Sequence, residues 1–128
     1  MIRVNHRLPT VVCAITVALV AFRVAAADQE IRFKRGATSA KITGYLNGSQ
    51  EVCYSLKARS GQHMKVDAEG KGAIVGEITM PSGSKEGQPG GPFFDNDLTE
   101  TGDYRVCLSE SPRGDRWKGQ FTLTVEIR

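Results

Sequence analysis

The stretch that decides the fold runs from Thr101 to Arg128, TGDYRVCLSESPRGDRWKGQFTLTVEIR. It opens on a turn signal, Thr101-Gly102-Asp103. A short alternating run follows, with Tyr104, Val106 and Leu108 on one side and Arg105, Cys107 and Ser109 on the other. The stretch closes on the cleanest alternation in the chain: Phe121, Leu123, Val125 and Ile127 face one way, and Thr122, Thr124, Glu126 and Arg128 the other. Side chains repeat every two residues along a strand, so each run can bury one face and wet the other. Between them lies a connection bearing Arg113, Arg116, Trp117 and Lys118, braced by Pro112 and Gly114 and too long for a two-residue hairpin turn. The reading is a rigid strand pair that presents a basic, aromatic-tipped loop.

Working outward, the same period recurs. Ala40, Ile42, Gly44 and Leu46 alternate with Lys41, Thr43 and Tyr45, and Asn47-Gly48 follows as a turn signal. Val52, Tyr54, Leu56 and Ala58 face inward on the next strand, and Met64, Val66 and Ala68 on the one after. Ile74, Gly76, Ile78 and Met80 follow, with Gly76 expected to mark a bulge. Glu30 to Phe33 makes a further short alternating run, and Phe93-Phe94 return the chain to the core. Residues 82–92, SGSKEGQPGGP, are expected to form a surface loop without a regular element. No window carries apolar residues at helical spacing. About seven or eight short strands separated by turn signals predict an all-β fold, an antiparallel β-sandwich.

Residues 1–27 read as a secretory signal peptide. Arg3 and Arg7 precede an uncharged apolar run from Thr10 to Phe22, and Ala25-Ala26-Ala27 offers small residues for cleavage. The run is too short to span the roughly 30 Å of a bilayer's hydrocarbon, so no membrane anchor is expected. Residues 28–128 then form a single domain. Three of the 17 Lys and Arg residues lie in the signal, which leaves 14 against 14 Asp and Glu, a formally neutral domain. A neutral domain lacks the basic face that nucleic acid requires, so none is expected as a partner. Cys53 and Cys107 remain after the signal is removed, and an even count in an exported domain predicts one disulfide. Both alternate with apolar residues, which places the bridge between neighbouring strands on the exposed face of a sheet.

The residues offer little to an enzyme. His63 is the one histidine after the signal, and a Ser-His-Asp arrangement would depend on it alone. No cluster of His, Cys and carboxylates has zinc spacing. The acidic residues Asp95, Asp97, Glu100 and Asp103 alternate in part, but Leu98 and Thr99 fill positions that a calcium loop gives to ligands. No metal, no cofactor and no catalytic residue is expected. What remains is recognition: Arg113 and Arg116 can each offer a planar fork to a carboxylate, with Trp117 and Lys118 as surround.

The run Phe33-Lys34-Arg35-Gly36-Ala37-Thr38-Ser39-Ala40, with Gly44, Gly48, Tyr54, Ala58 and Gly61-Gln62 after it, resembles the periplasmic inhibitors of goose-type (g-type) lysozyme of Gram-negative bacteria. Gly102-Asp103-Tyr104, the arginine loop and the closing strand continue the likeness, which spans residues 28–128 apart from about 69–97. The wider group of secreted β-sandwiches resembling the pre-peptidase C-terminal domain shares part of the pattern. The resemblance implies a periplasmic inhibitor, monomeric or weakly homodimeric, whose loops at one end of the sandwich enter the lysozyme cleft. Counting from Tyr104, Arg116 takes the place of the family's inserting arginine. A second family arginine would fall at Pro112, so Arg113 serves with a one-residue shift. Ser49 stands where the family has a tyrosine. The alternative is a generic extracytoplasmic binding module for cell-wall glycan or another envelope protein.

Overall fold

The closing alternation becomes the longest strand of the molecule and the one around which a sheet assembles. In a computed structural model, which describes residues 28–48, 50–86 and 93–128, nine strands are present among the described residues. They are β1 (Gln29–Glu30), β2 (Ser39–Asn47), β3 (Val52–Ala58), β4 (His63–Gly70), β5 (Ile74–Thr79), β6 (Lys85–Glu86), β7 (Phe94–Asp97), β8 (Gly102–Glu110) and β9 (Lys118–Ile127). One sheet has the order β1-β3-β8-β5-β6 and the other β2-β9-β4-β7. The described residues hold no helix. Seven strands have four or more residues, and β1 and β6 have two each. The expected signal peptide lies outside the described residues.

The core is the apolar half of each alternation. Leu46, Tyr54, Leu56, Met64, Val66, Ile78, Val106, Leu108, Phe121, Leu123 and Val125 are buried between the two sheets. Removing these side chains from water is the main force that holds two thin sheets face to face. Gly44 and Gly76 work as part of that packing. A Cβ on Gly44 would sit 2.3 Å from the Phe121 ring, and one on Gly76 would sit 2.6 Å from the Phe93 ring. Gly76 was expected to mark a bulge, yet β5 pairs with β8 in unbroken register through Gly76 and Leu108. The glycine clears room for an aromatic ring.

Several expectations change in the folded chain. β8 and β9 are not a strand pair: β8 is the central strand of the five-stranded sheet, and β9 lies inside the four-stranded one. The basic connection is therefore a crossing between sheets. The apolar faces of the two strands look at each other across the core, which places them in opposite layers. The sandwich is not wholly antiparallel, because β1 runs parallel to β3, with Gln29 opposite Tyr54. Within residues 82–92, Lys85–Glu86 form an edge strand against Ile78–Thr79. Gly83 at φ 93° tightens that turn, and Met80 and Ser84 are joined by a 2.8 Å backbone bond. Residues 87–92 lie outside the described residues.

Cys53 and Cys107 face each other across β3 and β8 and form the expected disulfide, on the outward face. Cys107 is nevertheless buried, at 4% exposure. A central strand is shielded by a neighbour on each side and by the bridge itself, a shelter that alternation alone does not reveal.

Gly102-Asp103-Tyr104 forms a tyrosine corner. The buried Tyr104 hydroxyl donates to the Glu100 carbonyl at 2.6 Å, which ties the start of β8 to the segment that leads into it. Gly102 has φ 148°, which other residues rarely adopt, and a Cβ there would meet Pro81 at 3.0 Å.

Candidate functional site at the loop end of the sandwich

Strand register gathers three connections at one end. Asn47 lies opposite Lys118, Gly70 opposite Phe121, and Ile74 opposite Glu110. The connections that follow β2, β4 and β8 therefore leave the two sheets on the same side of the molecule. Arg113, Arg116, Lys118 and Lys71 are exposed there, together with Asp115 and Glu51.

The longest of the three connections is braced from within. The Ser111 N–H donates to the Ala73 carbonyl at 2.9 Å, and the Trp117 indole N–H donates to the same oxygen at 3.1 Å. The Trp117 backbone N–H donates to Glu110 Oε2 at 2.9 Å. The indole ring lies over the β4–β5 turn, where Cβ atoms on Gly70 and Gly72 would approach it to 2.8 and 2.6 Å. Trp117 is thus half-buried and turned onto its own chain. It holds the end of the loop in place and leaves its remaining face to solvent.

Arg116 is the opposite case. Its side chain is 80% exposed, and its Nε stands 4.0 Å from Glu110 Oε1, a side chain only 10% exposed. A pair at that distance, with one partner in water, contributes little to stability. Glu110 accepts the Trp117 backbone N–H on its other oxygen, so one largely shielded carboxylate steadies the loop while the Arg116 guanidinium stays in solvent. Arg113 is exposed at the tip, within a turn in which the Gly114 N–H donates to the Ser111 carbonyl at 3.4 Å. The structure brings Arg113, Arg116 and Trp117 into one loop. Ser49 lies outside the described residues, between Gly48 at φ 69° and Gln50.

At the far end, sequence reading missed a clamp. His63 Nδ1 is 2.7 Å from Asp97 Oδ1, and its Nε2 is 2.5 Å from Asp95 Oδ1. The hydrogen bond to Asp97 and then that to Asp95 raise the His63 pKa above its ordinary 6.5. With a carboxylate on each nitrogen, the ring has no free nitrogen to take a proton from a serine. Register carries the signal: His63 pairs with Asp97 and Lys65 with Asp95 across β4 and β7, a relation that no local spacing displays. The acidic stretch from Asp95 to Glu100, where no calcium loop was expected, is divided among other partners. Asp95 and Asp97 hold His63, while Glu100 accepts the Ser82 N–H at 2.9 Å.

No family model matches the chain, and no curated protein matches it. Solved structures do. The Aeromonas hydrophila PliG structure, a periplasmic inhibitor of g-type lysozyme, superposes with a TM-score of 0.64 at 23% identity, covering 80% of this chain and all of that one. Salmonella Typhimurium PliG, also a periplasmic inhibitor of g-type lysozyme, gives a TM-score of 0.67 at 16% identity, covering 81% of this chain and all of its own. The fold is that of the periplasmic g-type lysozyme inhibitors. The pre-peptidase C-terminal domain of a Bacillus anthracis collagenase also matches, with a TM-score of 0.55 at 14% identity over 80% of this chain and all of that one. The inhibitor fold thus belongs to a broader sandwich architecture, and a shared scaffold does not by itself assign an activity.

Proposed function

We propose that the protein is an inhibitor of g-type lysozyme that seats the loop of residues 111–117 in the enzyme's substrate cleft. Arg116 is its principal contact. The observation that carries this reading is the exposed Arg116 guanidinium on a loop anchored by Glu110, Trp117 and Ala73, at the loop end of a sandwich with the inhibitor fold. A lysozyme cleft holds a catalytic carboxyl group in a partly desolvated setting. A guanidinium delivered there makes charge-assisted hydrogen bonds and displaces water and substrate. Bracing matters because a loop ordered before binding loses less entropy on binding.

Arg113 reaches the rim of the cleft, Ser49 contributes from the neighbouring 48–51 connection, and Trp117 acts mainly by holding the loop. The protein works in the periplasm after removal of residues 1–27, and it carries out no catalysis. The test is a lysis assay in which the purified exported protein is titrated against goose-type, chicken-type and invertebrate-type lysozymes on one cell-wall suspension. Selective loss of goose-type activity near stoichiometric inhibitor is expected. A folded protein that inhibits none of the three overturns the reading in favour of a generic binding module.

A further inference from the structure

Among the described residues, β2 is an open edge. Its nine residues pair with β9 on one side and with no strand on the other. The Ile127 N–H donates to the Thr38 carbonyl at 2.8 Å. Polar groups alternate in direction along an antiparallel strand, so Ala40, Ile42, Gly44 and Leu46 also turn theirs toward β9. The backbone N–H and C=O groups of Ser39, Lys41, Thr43, Tyr45 and Asn47 then point out of the sheet edge. The other edges are blunted: β7 has four residues with Asp95 and Asp97 among them, and β1 and β6 have two residues each. β2 has one charge, Lys41, and no proline. It also carries Tyr45, the exposed large hydrophobic side chain among the described residues, at 57%. A long edge with little charge is a template for another strand.

We propose that two copies of this chain pair through β2, antiparallel across a twofold axis at Thr43, and merge their four-stranded sheets into one. The strand is self-complementary about that residue. A twofold axis at Thr43 sets Thr43 against Thr43, Lys41 against Tyr45 and Ser39 against Asn47, all members of the outward-pointing set. Every facing pair can therefore exchange backbone hydrogen bonds. The single cation faces an aromatic ring instead of its own copy, an attractive cross-strand pair that also covers the exposed tyrosine. The two copies of the 111–117 connection each enter β9 beside the Asn47 end of their own β2. In the pair they lie at opposite ends, and both remain open.

Sedimentation equilibrium of the exported protein from micromolar to millimolar concentration tests this. A reversible dimer is expected, and Thr43→Lys and Tyr45→Lys, which each set like charges face to face, weaken association at least about tenfold. Both positions are exposed, so either variant that keeps the parent's circular dichroism spectrum is informative. Asn96→Lys, on the opposite edge of the same sheet, leaves association unchanged. A monomer at every concentration overturns the proposal and leaves the edge to a strand from another protein. A dimer that persists in the folded Thr43→Lys and Tyr45→Lys variants overturns it by placing the interface elsewhere.

Discussion

Trp117 rests on Gly72 so closely that a Cβ there would fall 2.6 Å from both Cδ1 and Nε1 of its indole. The contact joins the β4–β5 turn to the arginine-bearing loop and sets where that loop stands. Gly72→Ala must push the ring away and strain its hydrogen bond to Ala73. The expected result is a loss of about 1–3 kcal/mol by chemical denaturation, accompanied by weaker lysozyme inhibition. An unchanged denaturation midpoint would show that the loop does not depend on this contact.

Arg116→Ala separates binding from stability. The side chain is 80% exposed and its one nearby carboxylate is at 4.0 Å, so the melting temperature should hardly move. Inhibition of goose-type lysozyme should weaken at least tenfold, the scale on which truncating an interface anchor costs about 2–4 kcal/mol. Equal inhibition by the mutant would remove Arg116 from the contact.

Tyr104→Phe removes one hydroxyl and leaves the ring in place. The part-buried Glu100 carbonyl then loses its 2.6 Å donor. A destabilisation of about 1–3 kcal/mol is expected, seen as a lower denaturant midpoint with an unchanged slope.

His63 makes stability depend on pH. Its folded pKa is raised above the ordinary 6.5 by Asp97 first and Asp95 second. A raised pKa means that the folded state holds the proton more tightly. The contribution is complete below 6.5 and is lost as pH rises through the folded value. The melting-temperature difference between the parent and His63→Gln should therefore be largest in mild acid and shrink in mild base. It should also shrink with added salt, because the clamp is at the surface. An imidazole titration midpoint by NMR at or below 6.5 would contradict the clamp.

The disulfide closes a ring from Cys53 to Cys107 across adjacent strands. Replacing both cysteines by alanine should cost about 2–4 kcal/mol, read from the denaturant midpoint of the oxidised parent against the variant. An equal midpoint would mean that the cross-strand ladder alone supplies the constraint.

The open edge of β2 and the braced loop occupy different parts of the sandwich. Lysozyme inhibition and self-association can therefore be measured separately in the Arg116 and Thr43 variants.

Local pattern determined which side of each strand is buried. In β9, Phe121, Leu123 and Val125 are buried as their two-residue period requires, and Tyr54, Leu56, Met64 and Val66 follow the same rule. The pleat repeats every two residues wherever the strand lies, so burial of a face is legible from neighbours in sequence. The Cys53–Cys107 bridge was legible from the even cysteine count of an exported domain, and the turn at Gly102 and the connection that bears Arg113 and Arg116 from their local residues. Strand partnership was not. β8 and β9 adjoin in the chain yet sit in opposite layers, because the choice of partner is made by burial across the whole core. That same global choice sheltered Cys107 and turned Trp117 onto Gly70 and Gly72. It also set Asp95 and Asp97 around His63, more than thirty residues away in the chain. Periodicity along one strand carries the direction of its side chains, while the identity of the strand beside it depends on distant residues that only folding brings together.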